Sequence, residues 1–288
     1  MKKAITKLSK VMALLVAVIL VFSVVPSTAF AAKSGKTYYV SVDGKDDNDG
    51  LSKDKPLSYK MASAKIFNGG DKVLFKRGDT FYGLFAPLIG SASKDNRVTF
   101  DAYGEGDLPK LSFAKIVSKT WENAGNGFYK IDLTNEKNYS GAKSRIANVG
   151  FFTDDKGNYY GMRKKDAASC TEKYDFYCDD TYIYVKTDKE PYSELGELKM
   201  AIHESLFKLV PNSIVRNLHL EYCGYGMTWS KGDKNKRNFV DITNCVIENM
   251  GGTVIDEENF TRAGNGIEFY DSGSNVVIKN NIFLICIK

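Results

Sequence analysis

Beyond residue 36 the chain reads as short apolar or aromatic runs interrupted by Gly, Asn and Asp: TYYVSV, then KVLFK between Gly70-Asp71 and Gly78-Asp79, then RVTFDAYGEGD. Runs bounded in this way by turn formers predict strands. Further strands are predicted at 128–133 (FYKIDL), 181–187 (TYIYVKT) and around 195–209. One helix is predicted within 56–67 (PLSYKMASAKIF), ended by Asn68-Gly69-Gly70 and placed to cap the first strands.

The last third carries a loose internal repeat. Aligning IVRNLHL (214–220), DITNCVI (241–247) and VIKNNIF (277–283) matches Val215, Ile242 and Ile278, then Asn217, Asn244 and Asn280, then Leu220, Ile247 and Phe283. GMTW at 226–229 and GIEF at 266–269 form a second matched pair. The copies are unequally spaced, so the strands stay in phase while the loops between them vary. A solenoid behaves this way, each winding stacking on the last at the strand spacing of about 4.8 Å while insertions project sideways. Alternation then sends Val215, Leu218 and Leu220 inward and Arg216 and His219 outward; in the next winding Ile242, Cys245 and Ile247 point in and Thr243 and Val246 out. The matched Asn residues are expected to pass side-chain amide hydrogen bonds from winding to winding. A β-sandwich with coincidental Asn turns is the competing architecture.

Composition changes the picture in two places. The chain has 40 Lys+Arg against 35 Asp+Glu, and Lys2, Lys3, Lys7 and Lys10 supply four of the excess, so the rest is within one charge of neutral. That removes the electrostatic case for nucleic-acid binding. The same four lysines precede the apolar run VMALLVAVILVFSVV, 11–25, and Ala29-Phe30-Ala31, which together read as a secretory signal peptide cleaved after Ala31. No later run is long enough to span a bilayer, so an extracellular or surface location is expected for residues 32–288. Five cysteines, Cys170, Cys178, Cys223, Cys245 and Cys286, leave at least one thiol unpaired, and Cys170–Cys178 is the pair that could close a small loop. No cysteine pair has zinc-site spacing, and His203 and His219 are the only histidines.

The stretches TYYVSVDGKDDNDGLSKDKPL, GDKVLFKRGDTFYG, VTFDAYGEGDLPKLS, NCVIENMGG and RAGNGIEFYDSGSNVVIKNNIF resemble bacterial secreted proteins of the pectate-lyase-like superfamily. The resemblance implies an all-β fold, a right-handed parallel β-helix with a short N-terminal capping helix. It implies polysaccharide as substrate or ligand, through lyase or glycoside hydrolase chemistry or through non-catalytic binding as in adhesins. A monomer is expected. Members are typically longer, and this chain stops in mid-coil at NIFLICIK without a polar cap, so a truncated β-helix with missing C-terminal coils, inactive alone or a non-functional remnant, is a further expectation.

Sugar-active β-helices work on a groove along an outer face. Hydrolysis there needs two carboxyl groups flanking the scissile bond, whereas a lyase acting on uronates needs a cation, often calcium held by Asp and Glu, and a Lys or Arg base. No other cofactor is implied. Alternation points Glu268 outward between Ile267 and Phe269, making it the leading catalytic candidate; an ordinary solvated glutamate is the plainer reading. Asp256 and Glu257, with Glu258, could supply the second carboxylate or calcium ligands, or simply form a soluble loop. Arg262 could bind an acidic sugar, Tyr222 and Tyr225 beside a turn at Gly224 could stack against sugar rings, and His219 projects from an outer face. Trp229 is read as core, and Asp271 as a turn cap. Around Asp43–Gly50 an EF-hand loop would need its bidentate Glu where Pro56 stands, so a turn-rich loop is expected instead.

Overall fold

Six strands, Thr37–Lys45, Lys72–Lys76, Val98–Tyr103, Ser213–Arg216, Val240–Thr243 and Val276–Lys279, lie side by side in one sheet, every neighbouring pair parallel. This is row A, and its strands number the windings from first to sixth. The computed structural model describes residues 35–132, 148–161, 163–179, 181–229, 238–270 and 274–287. The predicted signal segment and Asp271 fall outside them.

Each row A strand from the second onward leads into a parallel row B: Thr80–Tyr82, Lys110–Ser112, the start of His219–Trp229, Val246–Gly251 and Ile282–Ile287. A third row, C, joins the end of Leu198–Leu209, the end of His219–Trp229, and Ile267–Phe269. Parallel strands that return to the same place after each circuit make the stack of a parallel β-helix.

The repeat in the sequence is the register of this stack. Val215 pairs with Ile242 and Ile242 with Ile278; Leu220 pairs with Ile247 and Ile247 with Phe283; Met227, Thr228 and Trp229 pair with Ile267, Glu268 and Phe269. The inward residues Val215, Leu218, Leu220, Ile242 and Ile247 are completely buried. Toward the first windings the interior is aromatic: Phe75, Phe85, Phe100 and Phe207 meet edge-on or tilted, with centroids 5.1 to 5.7 Å apart, geometry that adds to the area they bury. Gly226 sits where a Cβ would collide with the Gly266 carbonyl of the next winding, so glycine is required for the close stacking there.

The matched Asn residues serve a backbone purpose. Asn217, Asn244 and Asn280 have φ of 55°, 54° and 58°, the left-handed conformation that turns the chain from row A into row B and that Asn tolerates better than most residues. A second corner, just before row A, stacks Asn212, Phe239 and Asn275, and a third, within row B, stacks Tyr222, Asn249 and Ile285, all left-handed. The expected amide ladder is not what joins the first corner. Asn217 donates through Nδ2 to Asp101 at 2.7 Å, and the next residue in the last copy, Asn281, bonds the Cys245 amide and the Ile242 carbonyl.

The predicted helix is Tyr59–Ala64, capped by Ser58 accepting from the Met61 amide at 3.1 Å. The predicted strands at 128–133 and 181–187 exist, but they are not windings. Between Ser112 and Leu198 the chain leaves the stack and builds an antiparallel sheet from Glu122–Gly125, Phe128–Asp132, Tyr182–Lys186 and Phe176–Cys178. It rejoins where Leu198–Leu209 pairs antiparallel with Lys115–Val117 and Val149–Thr153 before turning parallel in row C. Cys170 and Cys178, in this insertion, are separate buried thiols rather than a bridge; burial pushes each up to about 11. Among the described residues no helix is long and apolar enough to cross a membrane.

Candidate active site

Outward positions of row B line up in two columns along the stack. One runs Thr80, Lys110, His219, Val246, Ile282; the other runs Tyr82, Ser112, Glu221, Glu248, Leu284. Register therefore brings two carboxylates from neighbouring windings together beside an imidazole. His219, Glu221 and Glu248 each offer one donor atom, all within 4.8 Å of one another. His219 Nε2 bonds Glu248 Oε1 at 2.8 Å and lies 4.0 Å from Glu221 Oε2. Lys110 Nζ, one winding back, donates to Glu221 Oε2 at 3.2 Å.

The two carboxylates differ in setting. Glu221 is only 5% exposed and is held by the half-exposed Lys110, while Glu248 is half-buried. The hydrogen bond from His219 holds the Glu248 carboxyl below the usual glutamate range, with the positive charges of His219, Lys110 and Lys199 acting in the same sense. Burial pushes the Tyr82 phenol up, reinforced by Glu221 and by Glu197. Glu197 ends the insertion and Lys199 lies on the strand that rejoins the stack, so the stack supplies the floor of the site and the returning chain its edge.

The donor set does not fit calcium. That ion takes 6–8 oxygen ligands, whereas here two carboxylates share the space with an imidazole nitrogen, and an ammonium already bonds one of them. The arrangement fits a carboxylate pair serving acid–base or nucleophilic chemistry.

The residues singled out from sequence are dispersed. His219 is in the cluster. Glu268 lies on row C, half-buried, accepting from Asn265 Nδ2 at 2.9 Å and in register with Thr228, whose hydroxyl accepts from Lys208 at 3.0 Å. Asp256 and Arg262 lie on an antiparallel hairpin, Thr253–Asp256 with Thr261–Ala263, and Glu257 in its turn. Asp256 caps that turn through Asn259, whose side-chain and backbone bonds lower its pKa. Glu257 pairs with Arg163 through both carboxylate oxygens, at 3.0 and 3.2 Å, which docks the hairpin onto the insertion. Arg262 lies 4.9 Å from the Phe260 ring and donates to the Arg163 carbonyl.

Tyr222 offers no face to a sugar: it is buried, its hydroxyl 2.8 Å from that of Thr153. Gly224 is not a turn, because the strand runs on through it, and the left-handed bend is at Tyr222 itself. Tyr225 is half-buried, edge-on to His203 at 5.8 Å. Trp229 packs against the core as expected.

Sequence reasoning missed Glu221, Glu248 and Lys110. The signal was available: Glu221 and Glu248 occupy the column immediately after Leu220 and Ile247 in the same alignment. The contribution of Lys110 arises from a winding outside the visible repeat.

No family model matches the chain, and no curated protein matches it. Among solved structures it is similar to XylC, determined in complex with xylose, with 12% identity and a TM-score of 0.56 over 85% of this chain and 58% of that one. It is also similar to the GH136 lacto-N-biosidase from Eubacterium ramulus, with 19% identity and a TM-score of 0.44 over 87% of this chain and 34% of that one. The chain thus spans little more than half of the first and about a third of the second. The likeness to XylC is one of fold.

Proposed function

We propose that the protein is an exported, right-handed β-helix enzyme acting on extracellular glycans, and that it cleaves a glycosidic bond with Glu221 and Glu248. The observation that carries this reading is the pairing of Glu221 with Glu248 across adjacent windings, with His219 on one carboxylate and Lys110 on the other. The shared fold with a protein solved with xylose supports a sugar ligand. Export rests on the signal-like segment at 1–31.

Glu248, kept ionised by His219, is the nucleophile or base. Glu221, buried one winding back and held by Lys110 at 3.2 Å, is the second carboxylate of the pair. That Glu221 and Glu248 each offer an oxygen within 4.8 Å of the other supports the retaining arrangement, with carboxyl groups roughly 5–5.5 Å apart, over the inverting one at roughly 6.5–9.5 Å. Parallel crossovers are right-handed in about 98% of cases, which supports the handedness.

The test offers uronate-rich and neutral plant glycans to the purified chain and follows new reducing ends and unsaturated products. Glu221→Gln and Glu248→Gln should each lower hydrolysis by about 10² to 10⁴-fold with the circular dichroism spectrum unchanged. Unsaturated ends instead of hydrolysis products would reassign the site to lyase chemistry. Full activity in both variants, or binding without turnover in the wild type, would remove the catalytic assignment.

A further inference from the structure

The column that holds the carboxylate pair continues into the earlier windings. Glu248 and Glu221 are followed one winding back by Ser112 and two back by Tyr82. At a strand spacing of about 4.8 Å, the backbone of Tyr82 lies about 10 Å from that of Glu221. Ser112 between them is completely buried, its hydroxyl turned back to accept from the Ala114 amide at 3.1 Å. The next side chain of the column to reach solvent is therefore that of Tyr82, which is half-buried.

The hydroxyl of Tyr82 sets it apart. Other tyrosines that pack at the core place theirs on protein oxygens: Tyr59 donates to the Gly83 carbonyl at 3.0 Å, Tyr160 to Asp154 at 3.2 Å, and the Tyr222 and Thr153 hydroxyls meet at 2.8 Å. The Tyr82 hydroxyl has no such partner among the described residues. Of the two carboxylates whose charges reach it, Glu221 is taken up by Lys110 at 3.2 Å and Glu197 by the Ser118 hydroxyl at 2.7 Å. Burial and those charges keep the phenol protonated. The edge of the site thus carries an O–H donor and a flat apolar ring, the two kinds of contact that a sugar unit can answer with an oxygen and a C–H face.

We infer that Tyr82 is a substrate-binding residue of this site, its hydroxyl donating to an oxygen of the sugar unit next to the one attacked, so that the substrate class is a glycan of two or more units rather than one sugar on a small leaving group. This rests on Glu221 and Glu248 being the reacting pair. The two-winding separation assigns Tyr82 to the neighbouring unit, because a sugar whose reacting carbon lies beside the pair is already held by His219, Glu221 and Glu248.

The test titrates xylose, glucose and galactose, each with its β-1,4-linked tetrasaccharide, calorimetrically into the whole chain carrying Glu248→Gln, which suppresses turnover, and into the same chain with Tyr82→Phe added. Phenylalanine keeps the ring and its packing and removes one hydrogen bond, so at least one tetrasaccharide should bind about 2- to 10-fold more weakly while the affinity for its monosaccharide does not move. Tyr39→Phe, on row A, should leave both unchanged. Equal affinity of Tyr82→Phe and its parent for every tetrasaccharide, a loss shared equally by the monosaccharide, or no binding of any compound overturns the proposal. Unchanged affinity in Tyr82→Phe, in a protein whose wild type still cleaves glycans through Glu221 and Glu248, removes Tyr82 and leaves the carboxylate pair standing. A tetrasaccharide affinity that depends on the Tyr82 hydroxyl, in a wild type that cleaves nothing, keeps Tyr82 as a sugar contact and removes the hydrolase reading.

Discussion

The stacked windings and the insertion at 113–197 bury residues of the same kinds in the same continuous core, yet they are built on opposite rules. In the stack every row is parallel and each buried side chain has a like neighbour one winding away, as Val215, Ile242 and Ile278 do. In the insertion the strands are antiparallel, and Ile131, Phe176, Ile183 and Val185 meet through pairings specific to that sheet. Repetition makes the stack tolerant of added loops, because each winding needs only its neighbours. The insertion has no such redundancy, and what it contributes is position: its last residue, Glu197, and Lys199 on the strand that follows come to the edge of a site whose floor the stack provides.

The largest effect that can separate the two regions is a cavity. Phe207→Ala removes a ring packed against both Phe85 and Phe100, and should cost about 3–5 kcal/mol and lower the unfolding midpoint of the whole chain. Ile183→Ala, at a fully buried site of the insertion, should cost about 2–5 kcal/mol but act locally. Hydrogen exchange should then rise across 122–186 while the amides of row A keep their protection. Equal loss of protection in both regions would show that the insertion and stack unfold as one unit.

A smaller effect probes what the stack's corners are made of. Asn244→Ala places an ordinary residue at φ 54°, and should cost about 1–2 kcal/mol by chemical denaturation. Asn244→Gly should be close to neutral, since glycine adopts this conformation freely. If the amide side chain rather than the backbone were what mattered, the Gly and Ala variants would be equally destabilised.

These contrasts explain what was legible in the sequence. The register of row A, the inward columns and the pairing of GMTW with GIEF could be read because stacking forces equivalent positions into one environment. The insertion could not be separated from the windings, since FYKIDL and TYIYVKT carry the same alternation whether their neighbours run parallel or antiparallel. Glu268 was favoured for its flanking apolar pair, Ile267 and Phe269; Glu248 stands between Ile247 and Asn249, and only the register between windings brings it beside Glu221. Tyr222 misled because the left-handed bend there sends its ring against Ala114, Phe151 and Ala201, which cover it, rather than toward solvent.

The mildest prediction concerns acidity and sharpens the division of labour at the site. His219 bonds Glu248 at 2.8 Å, and the folded-state pKa of Glu248 is thereby lowered from its ordinary 4.5. A lowered folded pKa means that the carboxylate form is favoured by folding, so the contribution is complete above the ordinary value and is lost as pH falls through the folded one. Stability of the wild type should therefore fall with acidification just below pH 4.5 more steeply than that of Glu248→Gln, which has no proton to take up at this position. The groups around Glu248 are His219 and Glu221 on the preceding winding, Lys110 and Lys199; Leu284 on the following one carries no charge, so the effect is set from one side of the site. Because Glu248 is half-exposed, solvent screening keeps the difference small. Urea midpoints of the two proteins measured from pH 6 down to 3 should converge, and curves that stay parallel would mean that His219 does not favour the ionised form of this carboxylate.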